Sequence, residues 1–103
     1  MEYQGGCYAR QDSTVSSTPV VLTQSIWYTS SIKGVRAASV SVETADIRVT
    51  FDGTAPNNGS TPPVGRVITA GSSFTILGRQ NIERFKAIKA GATDAVIHAE
   101  YFG

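Results

Sequence analysis

The chain has 103 residues, the size of one domain, and only 17% are charged; eleven Ser, eleven Thr and ten Gly supply much of the remaining polarity. Polarity made of hydroxyls suits strands and loops better than solvated helices. One Cys and one His exclude a disulfide framework, an internal Cys/His zinc site and a c-type haem, and a net charge of +1 argues against nucleic acid or an anionic membrane as partner.

The first nineteen residues, MEYQGGCYARQDSTVSSTP, have no basic segment followed by an apolar one, so no secretory signal is expected. No window approaches the length of a membrane span. Tyr3 to Arg10 alternates weakly and reads as a short strand or arm. Gln11 to Thr18 has only Val15 to bury and reads as a flexible connector. The expected organisation is therefore an arm and connector over 1–18 and one domain over 19–103. Cys7, with no nearby base to activate it, is expected to be a buried or half-buried thiol.

Pro19 opens a strand at Val20, where no ladder donor is needed. Ile26, Trp27 and Tyr28 form the densest aromatic spot. Read as extended chain, they cannot share one face, so an outward ring is expected and Trp27 and Tyr28 are candidate partner contacts. Thr29 to Gly34 reads as a turn. Val35 to Glu43 alternates, with Ala38, Val40 and Val42 facing inward. Ile47 to Asp52 alternates again, with Ile47, Val49 and Phe51 inward and Arg48, Thr50 and Asp52 outward. The three residues between these runs predict a β-hairpin.

Gly53 to Pro63 carries three Pro, two Gly and two Asn and cannot pair as a strand. It reads as an exposed loop that carries the chain between sheets, with Asn57 and Asn58 as candidate contacts. Val64 to Ala70 and Ser73 to Leu77 read as strands flanking a turn. Asn81 to Phe85 predicts one helical turn capped by Asn81, with Ile82 and Phe85 on one face. Phe85 to Ala90 and Ala95 to Phe102 complete the strands. About seven or eight short strands with turns at regular intervals predict an all-β fold. The expected architecture is a compact antiparallel β-sandwich, jelly-roll-like or immunoglobulin-like, with at most one short helical turn near 81–85.

Few residues offer chemistry. His98 lies mid-strand beside Glu100, and no strained GxSxG turn supplies a nucleophile for it, so it is expected to face outward or touch a partner. Glu43, Asp46 and Asp52 gather around the expected hairpin. Their spacing fits no EF-hand, and paired or solvated carboxylates are expected there. Arg66, Arg79, Arg84, Lys86 and Lys89 make the C-terminal half locally basic, and Arg84 and Lys86 are candidate contacts to an acidic protein neighbour. No catalytic residue, metal site or cofactor is assigned. A binding role follows, and a small carbohydrate-binding module stacking sugars on Trp27 and Tyr28 is the alternative from another class.

Residues 35–102 also contain an ordered series of turn-and-strand motifs. These are Ile47-Arg48-Val49 followed by Asp52-Gly53-Thr54 and Pro56; Gly65 leading to Ala70-Gly71 with Ser73 and Phe74; Asn81-Ile82 with Phe85; and a last strand ending at Tyr101. In this order they resemble small β-rich structural proteins of tailed bacteriophages, encoded among head and tail morphogenesis genes. The resemblance implies a non-enzymatic, multi-copy virion component that binds other capsid, neck or tail proteins and is made in the host cytoplasm. Head decoration or cement is the expected role, with a neck, collar or fibre-adaptor position as the alternative.

Overall fold

A computed structural model describes residues 7–28 and 34–103. The expectations for Tyr3 to Gly6 and for a turn over Thr29 to Lys33 lie outside these residues. Alternation of apolar with hydroxyl-bearing side chains builds the strands as expected. In β3 (Ala37–Glu43), Ala38, Val40 and Val42 are buried while Ser39 and Ser41 are not. In β8 (Ala95–Phe102), Ala95, Ile97, Ala99 and Tyr101 are buried and the intervening residues face out. The other strands are β1 (Cys7–Val15), β2 (Val20–Val21), β4 (Ile47–Thr50), β5 (Arg66–Ile68), β6 (Ser73–Leu77) and β7 (Lys86–Lys89). Two short helices, α1 (Gln24–Trp27) and α2 (Arg79–Arg84), interrupt them.

The strands form two four-stranded antiparallel sheets, ordered β1-β8-β3-β6 and β2-β7-β4-β5. Within them β1 pairs with β8, β2 with β7, β3 with β6 and β4 with β5. The chain is thus one long antiparallel ribbon folded at the 51–65 segment. Rolling that ribbon brings β3 onto β8 and β4 onto β7. This is the jelly-roll form of the sandwich rather than the immunoglobulin one. Val40, Val42, Ile97 and Tyr101 of the first sheet share one core with Ile47, Val49 and Ala87 of the second.

The rolling corrects two expectations. The Glu43–Ile47 connection is not a hairpin: β3 and β4 lie in different sheets, and the chain crosses between them at 44–46. Two alternating runs with a short link look alike whether the link is a hairpin or an arch, because both give the same inward pattern. The arch is pinned by its neighbour. The Asp46 carboxylate accepts the Ala70 N–H at 2.8 Å, and Gly71 donates to the Val42 carbonyl at 2.8 Å. Conversely, the 53–63 loop does not change sheets; it joins β4 and β5 of the same one.

Residues 11–15 are also not a connector. They are the second half of β1, paired in register from Gln11 opposite Ala99 to Val15 opposite Ala95. A division at residue 18 therefore does not describe the molecule. Ser and Thr serve the outer face of a strand as readily as a loop, and Gln11 has a structural task. Its side-chain Oε1 accepts the Thr23 N–H (2.9 Å) and the Tyr101 hydroxyl (3.1 Å), tying β1 to β8 and to the chain just after β2.

A second helical turn appears where extended chain was expected. In α1, Ile26 donates to the Thr23 carbonyl and Tyr28 to that of Gln24. Turning about 100° per residue lets three consecutive bulky side chains all lean on the core, which an extended chain forbids. In α2, Gly78 (φ 89°) occupies the cap position instead of Asn81, whose amide donates to the Leu77 carbonyl at 2.8 Å. Ile82 and Phe85 are buried as expected.

Candidate interaction surface

The aromatic spot is divided by α1. Trp27 is 1% exposed, its indole N–H donates to the Leu22 carbonyl at 3.1 Å, and its ring lies 6.4 Å from that of Tyr101. It is a core residue, not a partner contact. Tyr28 is half-buried, and the Arg79 guanidinium sits 4.2 Å from its ring centroid. One face of that ring is therefore already stacked, as cation–π geometry favours. A sugar-stacking platform built on these two residues does not match this arrangement.

The long loop is roofing, not a free arm. By register, Arg48, Thr50, Lys86 and Ile88 share the outer face of the second sheet, yet Ile88 is 6% and Thr50 8% exposed. The loop lies across that face. The Asn58 carbonyl oxygen accepts the Arg48 Nε–H at 2.6 Å, its NH₂ donates to the Lys89 carbonyl at 2.8 Å, and the Thr50 hydroxyl donates to the Thr54 carbonyl. Arg48 also donates to the Gly65 carbonyl at 2.8 Å, and Pro56 is buried. Asn57 pairs through its backbone with Val64 and accepts the Gly59 N–H through its side chain. Outward Thr50 thus becomes covered, and the side chain of Asn58 is occupied within the molecule.

Of the remaining candidates, Arg84 is exposed in the last turn of α2, and Lys86 is half-buried on β7 opposite Thr50. The basic residues are partly engaged: Lys89 pairs with Asp94 (3.2 Å), Arg79 with Glu83 (3.3 Å), and the Arg66 guanidinium lies 5.5 Å from the Phe51 ring centroid. The expected acidic cluster is dispersed. Asp46 holds the arch, and Asp52 accepts the Thr54 N–H at 3.0 Å, a bond that pulls its carboxyl below the ordinary value. Glu43 turns to His98.

His98 carries the most organised polar group on the outer face of the first sheet. Its Nδ1 lies 2.7 Å from an Asp12 carboxylate oxygen on β1, and its Nε2 lies 3.2 Å from one of Glu43 on β3. Ionised carboxylates only accept, so an imidazole held between two of them is best satisfied with both nitrogens protonated. The Asp12 hydrogen bond and then that of Glu43 raise the imidazole above its ordinary value of 6.5. The hydrogen bond from His98, with help from Arg10 (2.8 Å), lowers Asp12. The result is a polar lace across β1, β8 and β3. Among the described residues, no group of three or more His, Cys, Asp or Glu could hold a metal ion. In this cluster the two carboxylates engage different ring nitrogens. Sequence reading found His98 and Glu43 but missed Asp12, because only the β1–β8 register brings it opposite His98.

Cys7 is exposed at the start of β1, next to a register shift, rather than buried. The described concavities are shallow surface features. One of about 220 Å³ lies at the β5/β6 side, and one of about 290 Å³ lies beside His98. Compared with protein-family models, with curated proteins and with solved structures, the chain matches none.

Proposed function

We propose that the protein is a structural component of a tailed-phage virion, binding other virion proteins and stabilising the particle as decoration or cement on the head. The observation that carries this reading is the ordered motif series over residues 35–102. Its jelly-roll setting supports the reading, because this architecture recurs in viral capsid domains, although fold alone assigns no role. The action is binding without catalysis, by a small rigid body present in many copies.

The motif residues themselves serve the scaffold. Arg48 clamps the loop, and Asp52 and Gly53 (φ 87°) shape its turn. Gly65 passes so close to β4 that an added Cβ would sit 2.6 Å from the Val49 carbonyl oxygen. Phe74 and Phe85 stack with Phe51, and Tyr101 is core.

Quantitative mass spectrometry of purified particles from the phage that carries this gene tests the proposal. The chain should copurify at a fixed ratio to the major head protein and label the head surface with a specific antibody. Absence from particles would overturn the virion role, and labelling confined to the neck would overturn the head position.

A further inference from the structure

Natural β-proteins blunt their sheet edges with short strands, charges, proline or a cover, because an open edge recruits another chain. Three of the four edges here are treated in this way. The β2 strand is two residues long behind Pro19, and β5 is three residues long with Arg66 in it. The β1 strand carries Arg10 and Asp12 and is bridged to the chain at Val21 and Thr23 by Gln11. The fourth edge, β6, is SFTIL: five residues with neither charge nor proline, ending in Leu77 at 54% exposure.

The register shows which main-chain groups β6 leaves free. Residues Phe74 and Ile76 pair with Val40 and Ala38, in phase with the bonds from Gly78 to the Arg36 carbonyl and from Val42 to the Ser72 carbonyl. In an antiparallel ladder the intervening residues point their N–H and C=O groups the other way. Ser73, Thr75 and Leu77 therefore aim theirs at the open edge, and all three residues are exposed. Among the described residues, the Leu77 carbonyl is the one of these groups that is used there, by Asn81. Beside this edge lies the concavity of about 220 Å³ lined by Phe51, Arg66, Thr75, Ile76, Leu77 and Asn81. It is wide enough for one apolar side chain of an added strand.

The surroundings select the charge of the occupant. Arg66 lines the concavity, Arg79 and Arg84 lie on the adjoining α2, and Arg36 joins the end of β6 through Gly78. Against these four stand Asp52 and Glu83; Glu83 pairs with Arg79, which leaves three arginines against one carboxylate. Edge-to-edge pairing of two copies would offer these arginines only another uncharged SFTIL strand, whereas an acidic segment supplies them with partners.

We propose that the free edge of β6 is a docking site for an extended acidic segment of a neighbouring protein, which adds to the first sheet as a fifth strand. Main-chain bonds to Ser73, Thr75 and Leu77 hold the segment, and the concavity takes one of its apolar side chains, as in strand addition generally. The proposal deepens the virion reading, on which its biological setting rests.

Amide hydrogen exchange of the purified full chain, read by NMR with a synthetic peptide of alternating Glu and Val as probe, tests it. The peptide should slow exchange at the Ser73, Thr75 and Leu77 amides by about tenfold or more, and added salt should weaken the effect. Leu77→Asp and Arg66→Glu, each checked for a folded spectrum, should abolish it. Unchanged exchange, equal protection by an alternating Lys and Val peptide, or protection without peptide that grows with protein concentration would each overturn the site. The assay uses free protein, so its failure leaves particle incorporation standing, and absence from particles leaves the edge site standing.

Discussion

Removing the Asn58 side chain separates a clamped loop from a free one. In Asn58→Ala the loop loses the bond from the Arg48 guanidinium and the bond to the Lys89 carbonyl. A hydrogen bond to a charged group contributes about 1.5–3 kcal/mol and a neutral one about 0.5–1.5 kcal/mol. Both lie near solvent here, so the lower ends apply and the sum is about 2 kcal/mol. For a domain of this size that is a fall in melting temperature of about 8–16 °C. Asn57→Ala is the internal control. It loses only the bond from the Gly59 N–H and keeps the backbone bridge to Val64, so its cost should be about 0.5 kcal/mol. Guanidinium denaturation of both variants, with a double-mutant cycle between Asn58→Ala and Arg48→Ala, measures the difference directly. Equal small losses for the two asparagines, or a cycle with no coupling, would refute the clamp and return the loop to the solvent.

Three further outcomes follow from the same structure. Phe85→Ala should cost about 3–5 kcal/mol in denaturant titrations, because its ring is fully buried 5.7 Å from that of Phe51; Phe51→Ala should cost less, since Phe51 is only partly buried and has Arg66 over its ring. Gly65→Ala should lose at least about 2 kcal/mol by thermal unfolding, combining a positive φ of 101° with a clash against the Val49 carbonyl, whereas Gly71→Ala, with open space around it, should lose less. The His98 lace should make stability pH-dependent. A raised imidazole contributes fully below its unfolded value of 6.5 and loses that contribution as pH rises through the folded value, while lowered Asp12 contributes above 3.8 and loses it as pH falls. Urea midpoints at about pH 5 and about pH 9 should therefore differ more for the parent than for His98→Gln, and parallel profiles would show that the contacts carry no linkage.

What the sequence reveals and what it hides divides along physical lines. Alternation reports which residues of a strand share a face, so the inward set of β3 was legible residue by residue, whereas in β8 the two faces separate but the structure decides that Ala95, Ile97, Ala99 and Tyr101 are the buried one. Alternation does not report which strand lies alongside. The Glu43–Ile47 link reads as a hairpin because the two runs do bury matching faces; they do so from opposite sheets, across the core. The same blindness hides the His98 lace, since Asp12 and His98 are 86 positions apart and meet only through the β1–β8 register. Composition misleads at Gln11 to Val15, where hydroxyl-rich chain reads as connector but spans an edge strand. Trp27 misleads for another reason: an outward ring follows from period-two geometry, and a single turn of helix removes that premise.

The partition between scaffold and surface bears on the binding reading. Three segments that read as loop, link or connector are tied down: the 53–63 loop by Asn58 to β4 and β7, the 44–46 link by Asp46 to the Ala70 N–H, and the Gln11 stretch by its side chain to Thr23. Immobilising these segments in the free protein removes an ordering cost that a flexible loop would meet on association. Along the open side of β6, between the exposed Ser73 and Leu77, the register turns main-chain groups outward, where a partner strand can bond them. A strand edge reads a partner's extended shape, while the pocket and the flanking arginines read its side chains. Recognition of this kind works through backbone shape and so needs few distinctive residues, and the residues at the open edge, Ser73, Thr75 and Leu77, look ordinary in the sequence.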